Sequence, residues 1–225
     1  MNADVRRSLV GSPGGSSACQ LQSGWRSQFG HPRGVLGWFT GQLMAAKNQR
    51  RGEWVRGLLE ARAEDRILEV GCGPGVDVAA LSHRVGYVTG VDVSREMVRQ
   101  ARGRNAKAIA LHRVLVEQAS VEALPFESAS FDKVFSINSV QFWPNVAAAL
   151  GEVKRVLRPQ GLLAIAIQPR SRGATALTSL RWEAKLRNAF AEAGFEDVHS
   201  ALNERPSIPV VCCSGTKPGH TGATG

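Results

Sequence analysis

The chain has 225 residues, of which 43% are hydrophobic and 21% are charged. These proportions are typical of a globular protein with a single large core. The longest unbroken apolar run, Leu162 to Ile167, is too short to span a bilayer, and no apolar stretch follows Arg6 and Arg7 to form a secretory signal. The formal net charge is +9, but the arginines are scattered along the chain. We therefore interpret them as solvated helix faces rather than a nucleic-acid-binding stripe.

Cysteine usage favours a reduced, cytoplasmic protein. The four cysteines are Cys19, Cys72, Cys212 and Cys213, and none forms a C-x-x-C pair. If Cys212 and Cys213 lie on a strand, they point to opposite faces and are poor disulfide partners. We expect neither a disulfide framework nor a metal site.

The N-terminal part of the chain divides into two segments. Residues 1–24 are rich in Gly and Ser and predict a flexible tail. Residues 25–62 are expected to form a lid and helical segment, with a helical pattern from about 42 to 62. This segment contains four aromatic side chains before the helix: Trp25, Phe29, Trp38 and Phe39. Such a concentration of aromatic residues outside a regular element needs a surface to pack against.

From 63 to 215 the pattern alternates between strands and helices and predicts the main domain. The expected strands lie near 66–70, 87–92, 113–118, 132–137, 162–167, 197–203 and 208–214. The expected helices lie near 75–85, after Ser94 as N-cap, near 145–157 and near 175–193, before Gly194. This alternation predicts an α/β fold with an open, mostly parallel sheet covered by helices on both faces. Residues 216–225 are expected to form a second flexible tail.

The turn after the first predicted strand has the composition of a nucleoside-binding loop. An apolar run ends in Glu69, glycines follow at 71, 73 and 75, and the next apolar run ends in Asp92. Glycines let the backbone approach a ligand closely, and an aspartate at the tip of the second strand can accept from both ribose hydroxyls. Position 76 is Val rather than the third glycine of G-x-G-x-x-G, and no Lys-Ser/Thr pair follows. The spacing therefore disfavours a pyrophosphate or P-loop site.

The pattern E-x-G-x-G-x-G resembles the first motif of class I S-adenosylmethionine-dependent methyltransferases. Three further segments keep the order and spacing of that family: Glu122–Phe126, Ser130–Val134 and Leu157–Gly161. The resemblance covers about residues 65–168. It implies a Rossmann-like seven-stranded sheet of order 3-2-1-4-5-7-6 with strand 7 antiparallel. It also implies S-adenosyl-L-methionine as cofactor and methyl transfer by in-line displacement.

The resemblance assigns cofactor-binding roles residue by residue. Glu69 would hold the methionine ammonium group and Asp92 the ribose, although both could instead be helix caps. The expected set is Glu69, Gly71, Cys72, Gly73, Gly75, Asp92, Val93, Met97, Ser120, Val121 and Asn138. Ser120 stands where the family often has an Asp that holds the adenine amino group, so we expect backbone contacts there. Gln160 also departs from the usual L-R-P-G-G turn, although Gly161 remains.

The sequence contains fewer motifs that indicate the methyl acceptor than motifs that indicate the cofactor. The loop after the fourth strand, residues 136–144, lacks the N/D-P-P-Y/F motif of base and amide methylation and the carboxylates of magnesium-dependent enzymes. Phe142 and Trp143, with Trp38 and Phe39, could wall an apolar pocket, and core packing is the alternative for the first two. His31 is the candidate general base, and a loop histidine with no chemical task is the alternative.

We therefore predict a methyltransferase that acts on a small, partly apolar molecule, with no nucleic-acid or membrane partner. Two alternatives stay open at this point. The first is methylation of RNA or protein. The second is a non-catalytic cofactor-binding subunit that assists a partner.

Overall fold

The computed structural model describes residues 50–219, and all structural statements below concern this range. The strands are β1 (Arg66–Val70), β2 (Tyr87–Asp92), β3 (Val114–Gln118), β4 (Phe131–Ile137), β5 (Leu157–Ile167), β6 (Glu196–Asn203) and β7 (Val210–Thr216). The helices are α1 (50–58), α2 (Val76–Leu81), α3 (Arg95–Arg104), α4 (Ala106–Ala110), α5 (Val146–Val156) and α6 (Ala176–Glu192). A 3-10 turn, Val140–Phe142, follows β4.

The seven strands form one sheet of order β3-β2-β1-β4-β5-β7-β6. Strands β1 to β5 run parallel to one another, whereas β7 runs antiparallel to both of its neighbours, β5 and β6. The expected fold class and strand order are confirmed. In such a sheet the loops that follow β1, β2, β4 and β5 all leave from the same edge, where ligands of open α/β sheets bind.

Each face of the sheet is covered by its own hydrophobic cluster. One cluster includes residues of α5 and α6, such as Leu150 and Phe190. The other includes residues of α1, α2 and α3. Cys212 belongs to the second cluster and its neighbour Cys213 to the first, because successive residues of a strand point to opposite faces. The expected absence of a bond between them therefore follows from the pleat.

Some helix bounds differ from the predicted ones because side chains compete with the helix backbone. Helix α2 ends at Leu81 rather than near 85, and the hydroxyl of Ser82 donates to the Ala79 carbonyl. The expected helix after Ser94 is broken into α3 and α4 at Asn105. The Asn105 amide group donates to the carbonyls of Ala101 and Gly75, so it also fastens the end of α3 to the glycine loop.

The fifth strand begins earlier and the last strand ends later than predicted. Strand β5 starts at Leu157, which pairs with Phe131 before the register shifts at a bulge. Gln160 adopts a φ of 61° within this bulge and donates its amide to the Lys217 carbonyl. Residues 157–161, where the sequence predicts a turn, therefore form the bulged start of β5. Strand β7 continues to Thr216, one residue beyond the domain limit of 215 expected from the sequence.

Within residues 50–219, none of the helices combines the length and the apolar character needed to cross a membrane. The same residues contain no group of three or more His, Cys, Asp or Glu side chains arranged to hold a metal ion.

Candidate functional site

The glycine loop after β1 is shaped by three left-handed residues. Gly71, Gly73 and Gly75 have φ values of 73°, 51° and 73°. A Cβ at Gly71 would overlap the Ser139 hydroxyl, and one at Gly75 would come within 2.8 Å of the Ala101 Cβ. A Cβ at Gly73 would meet no protein atom within 4 Å. Packing therefore requires two of the glycines, while Gly73 faces open space that a ligand can fill.

Asp92, at the end of β2, is held by backbone amides. Its Oδ2 accepts from the Gly73 amide at 2.9 Å, and its Oδ1 accepts from the Ser94 amide at 2.8 Å. Ser94 caps the N-terminus of α3, because its hydroxyl accepts a hydrogen bond from the Met97 amide at 3.4 Å. The carboxylate of Asp92 is therefore placed beside the glycine loop, where the sequence predicts a ribose-binding role.

The predicted adenine-side residues lie along the start of α3 and after β3. Val93 is 62% exposed and Met97 is half-buried. Ser120 is half-buried and its hydroxyl accepts from the Glu122 amide, while Val121 is buried. The segment after Val121 is fastened to α5. Glu152 accepts from the Leu124 amide, and Arg155 donates to the carbonyls of Leu124 and Phe126.

Glu69 is a buried carboxyl group at the end of β1, only 3% exposed. Burial is the main cause that raises its pKa well above the usual range, and the nearby carboxylates of Asp77 and Asp92 raise it further. A hydrogen bond from the Val78 amide, at the start of α2, acts in the opposite direction. The Glu69 Oε2 has no hydrogen-bond partner among the described residues. The helix-cap alternative for Glu69 therefore accounts for the hydrogen bond from the Val78 amide. It leaves Oε2 for a cationic ligand group.

Cys72 is buried and packs beneath the loop. A Cβ at Gly90 would lie 3.0 Å from the Cys72 sulfur. Burial raises the pKa of the Cys72 thiol well above its usual value, and the charges of Glu69 and Asp92 add to this effect. A thiol held protonated in this way is a packing group rather than a nucleophile.

The segment after β4 turns sharply at Asn138, whose φ is 54°. The Asn138 amide donates to Ala166, its carbonyl accepts from the Gln141 side chain, and its Oδ1 accepts from the Gln168 amide at 2.7 Å. Phe142 is 56% exposed, whereas Trp143 is 5% exposed and belongs to a core cluster. This placement favours the core-packing alternative for Trp143 and leaves Phe142 as the exposed aromatic residue.

Four residues beside the loop were missed by the sequence analysis. Asp77, in the first turn of α2, forms an ion pair with Arg56 of α1. Arg51 of α1 is 6% exposed and donates from Nη2 to the Gln168 Oε1 at 2.6 Å. No motif marks α1 or Gln168. Among the four residues, only Asp77 has a sequence signal, because it is an acidic residue two positions after Gly75, the last glycine of the loop.

Comparisons with known proteins agree with this geometry. The family model described as "Methyltransferase domain" matches residues 68–165. The uncharacterized methyltransferase YdaC of Bacillus subtilis (strain 168) is 32% identical over 182 residues, which are 80% of this chain and 98% of that protein. The chain belongs to the class I S-adenosylmethionine-dependent methyltransferases. Its cofactor is S-adenosyl-L-methionine.

Two further proteins are similar to this methyltransferase over part of its length. The 27-O-demethylrifamycin SV methyltransferase of Amycolatopsis mediterranei (strain S699) is 38% identical over 112 residues, which are 48% of this chain and 40% of that protein. A crystal structure of a SAM-dependent methyltransferase from Aquifex aeolicus is 24% identical and superimposes with a TM-score of 0.61 over 74% of this chain and 89% of that one. The latter similarity shows the fold alone.

The residues present fit the cofactor of this family. The Glu69 Oε2, which has no hydrogen-bond partner among residues 50–219, suits an ammonium group. The open space at Gly73 suits a closely approaching ligand, and Asp92 lies beside that space. The predicted base and two predicted pocket residues, His31, Trp38 and Phe39, lie outside the described residues. Their roles remain predictions.

Proposed function

We propose that this methyltransferase transfers its methyl group to a small, partly apolar molecule. The observation that carries the proposal is the set of exposed apolar side chains that follow β4 and β5. Phe142 is 56% exposed, and Leu177 and Leu180 at the start of α6 are 56% and 47% exposed. Because β4 and β5 are parallel neighbours, the segments that follow them leave from the edge of the sheet where the glycine loop lies. Such side chains favour an apolar acceptor over a charged polymer.

The proposed roles of the site residues are binding and positioning. S-adenosylmethionine supplies, when bound, a methyl group already activated on a sulfonium. We assign Glu69 to the ammonium group and Asp92 to the ribose, with the glycine loop and Asn138 lining the same end of the site. Positioning and exclusion of water then account for most of the protein's contribution, and a general base is needed only for an acceptor that must lose a proton.

The charge distribution supports a small molecule over RNA. Several arginines on α3, α5 and β5 form ion pairs with carboxylates of the same chain. The pairs are Arg99 with Glu96, Arg102 with Glu117, Arg155 with Glu152 and Arg158 with Asp132. The name of the rifamycin methyltransferase indicates a small-molecule acceptor, and this relative supports the same substrate class.

The buried free thiols of Cys72, Cys212 and Cys213 support the proposal of a reduced, cytoplasmic location.

Transfer of a radiolabelled methyl group tests this proposal. The full chain is incubated with S-adenosylmethionine labelled in the methyl group and with three acceptor sources: a panel of small apolar alcohols, phenols and amines, total RNA, and denatured protein. We expect label in the organic extract of the small-molecule panel. Label confined to the RNA or protein fraction would overturn the proposal. The Asp92→Ala protein serves as the control for contaminating enzymes.

A further inference from the structure

Gln141 has a side-chain oxygen that no group of the described chain uses. The residue lies in the 3-10 turn after β4 and is half-buried. Its Nε2 donates to the Asn138 carbonyl at 2.8 Å, which orients the carboxamide, whereas its Oε1 is buried and has no hydrogen-bond partner among residues 50–219. A buried acceptor without a donor is costly, because it loses the hydrogen bonds that water would supply. In a candidate site, such an atom is explained by a ligand that brings a donor group.

The turn that carries Gln141 is fixed against the glycine loop. A Cβ at Gly71 would overlap the Ser139 hydroxyl, so the turn begins in contact with the loop that is expected to hold the cofactor. Trp143 donates from Nε1 to the same hydroxyl at 3.0 Å and belongs to a core cluster. Phe142, the neighbour of Gln141, is 56% exposed. The carboxamide is therefore carried by a turn that is anchored at both ends and that also presents an apolar side chain.

The segments that follow β4 and β5 contain no side chain that takes up a proton at neutral pH. Residues 138–145 and 168–175 include no Asp, Glu, His, Cys, Lys or Tyr. Two carboxylates beside the glycine loop have other contacts, because Asp77 forms an ion pair with Arg56 and two backbone amides donate to Asp92. A carboxamide oxygen accepts a hydrogen bond but is too weak a base to remove a proton. These segments therefore suit a nucleophile that keeps its proton until the methyl group has been transferred.

A neutral amine is a nucleophile of this kind. We propose that the methyl acceptor is an amine and that the Gln141 Oε1 accepts a hydrogen bond from its N–H group. The proposal rests on the proposed function and names the substrate class of the same site. The nitrogen lone pair forms the new N–C bond while the C–S bond of the sulfonium breaks, and the electron pair of that bond stays on sulfur. The nitrogen then carries the positive charge and releases its proton to water.

Gln141 favours an amine over a phenolate for an electrostatic reason. As the nitrogen becomes cationic, its N–H group becomes a stronger donor, so the contact with Oε1 is stronger in the transition state than in the bound substrate. A phenolate has no proton to donate, and its negative oxygen would face the partial negative charge of Oε1. Gln141 is therefore the residue that determines the specificity for the acceptor atom.

Matched acceptors test this proposal by transfer of a radiolabelled methyl group to the full chain's substrates. Each amine is paired with a phenol of the same apolar body: para-ethylaniline with para-ethylphenol, and naphthylamine with naphthol. We expect kcat/KM to be at least tenfold higher for the amine of each pair. Gln141→Met should lower kcat/KM for the amines at least tenfold, mainly through kcat, because the lost contact is strongest in the transition state. Gln160→Met is the matched control, since this exposed glutamine lies near the amino end of β5, and it should leave kcat/KM unchanged.

Two comparisons separate the contact with the amine from a structural effect of the substitution. N,N-dimethyl-para-ethylaniline has no N–H group, so Gln141→Met should change its binding to the complex with S-adenosylhomocysteine by less than about twofold and weaken that of para-ethylaniline severalfold. Gln141→Glu keeps an oxygen acceptor but loses the Nε2 donor, and should retain the preference for amines. Calorimetry measures these affinities and that of S-adenosylhomocysteine itself, which should stay within about twofold in both variants. Thermal unfolding reports whether each variant is folded.

Three results would overturn the proposal. The first is label in the phenol of each pair and not in the amine. The second is equal weakening by Gln141→Met of acceptors with and without an N–H group, which indicates a structural role for the carboxamide. The third is weaker S-adenosylhomocysteine binding in this variant, which assigns Oε1 to the cofactor. Label confined to RNA or protein would overturn the proposed function instead, and absence of label from every acceptor would overturn both.

Discussion

Glu69 is a buried carboxyl group of the site whose pKa is raised well above its ordinary value, mainly by burial. The folded protein therefore holds this proton more tightly than the unfolded chain does. The ordinary pKa of a glutamate side chain is about 4.5. As the pH rises above this value, Glu69 ionises first in the unfolded chain. The free energy of unfolding therefore falls until the pH passes the folded-state pKa. A cationic ligand group reverses this preference, because it favours the charged carboxylate.

The Glu69→Gln protein should lose this pH dependence. Relative to the unaltered protein, its free energy of unfolding without ligand should increase as the pH rises through that window and stay level below it. Its affinity for S-adenosylhomocysteine should fall by about tenfold or more, because a contact between charged groups, worth roughly 1.5–3 kcal/mol, is lost. Urea denaturation at a series of pH values and calorimetry measure the two effects. A pH-independent difference in stability would show that Glu69 titrates normally in the folded protein.

Replacement of Asp92 tests the ribose assignment. Asp92→Ala removes the proposed acceptor of two ribose hydroxyls, each contact worth roughly 1.5–3 kcal/mol, so affinity for S-adenosylhomocysteine should fall at least tenfold while the protein stays folded. Asp92→Asn retains one oxygen acceptor and should give a smaller loss. The control is Glu192→Ala, an exposed residue at the end of α6. Normal affinity in the Asp92→Ala protein would mean that the ribose is held elsewhere.

At the scale of the element, the glycine loop combines positions that serve packing with one that serves the ligand. Gly71 and Gly73 both have positive φ values, so alanine introduces backbone strain of roughly 1–2 kcal/mol at either position. The two differ in their surroundings, since a Cβ overlaps Ser139 at position 71 and meets open space at position 73.

This contrast predicts different outcomes for two matched substitutions. Gly71→Ala should lower the melting temperature far more than Gly73→Ala, because the segment after β4 must move. Gly73→Ala should remain folded but lose at least tenfold in affinity for S-adenosylhomocysteine, because its methyl group enters the ligand's space. Differential scanning calorimetry and titration measure both. If Gly73→Ala binds the ligand normally, the open space beside position 73 is not part of the cofactor site.

At the scale of the whole molecule, the proposed role of the N-terminal segment as a lid rests on its aromatic composition. Deletion of residues 1–40 should abolish methyl transfer and leave a folded core, because α1 and the sheet remain. Deletion of residues 1–20 alone should change little, since this Gly-Ser-rich stretch has almost nothing to bury. Activity with an accepted substrate and circular dichroism measure the difference.

Full activity of the 1–40 deletion would exclude the lid. The acceptor pocket would then be built from the segment after β4 and from α6. Full activity of this deletion would also remove His31 as the candidate base.

The sequence by itself determined the features that depend on local chemistry. Periodicity placed the seven strands, because burial on both faces requires continuous apolar runs and turns require Gly and polar residues. Glycine spacing and the acidic residues at two strand ends predicted the cofactor loop, since backbone conformation at φ > 0 needs particular residues at particular positions. The order of the strands came with the family resemblance that these motifs carry.

Only the tertiary structure decided which distant side chains meet. Arg51 and Gln168 are 117 positions apart, and no local pattern marks either one as part of the site. Trp143 looked equally suited to a pocket wall or to the core, and its burial was settled by the helices that pack around it. Asn105 ended a helix that propensity would have continued, because its side chain could reach the Gly75 carbonyl. Contacts of this kind depend on how the chain folds back over the sheet, and sequence spacing carries little information about them.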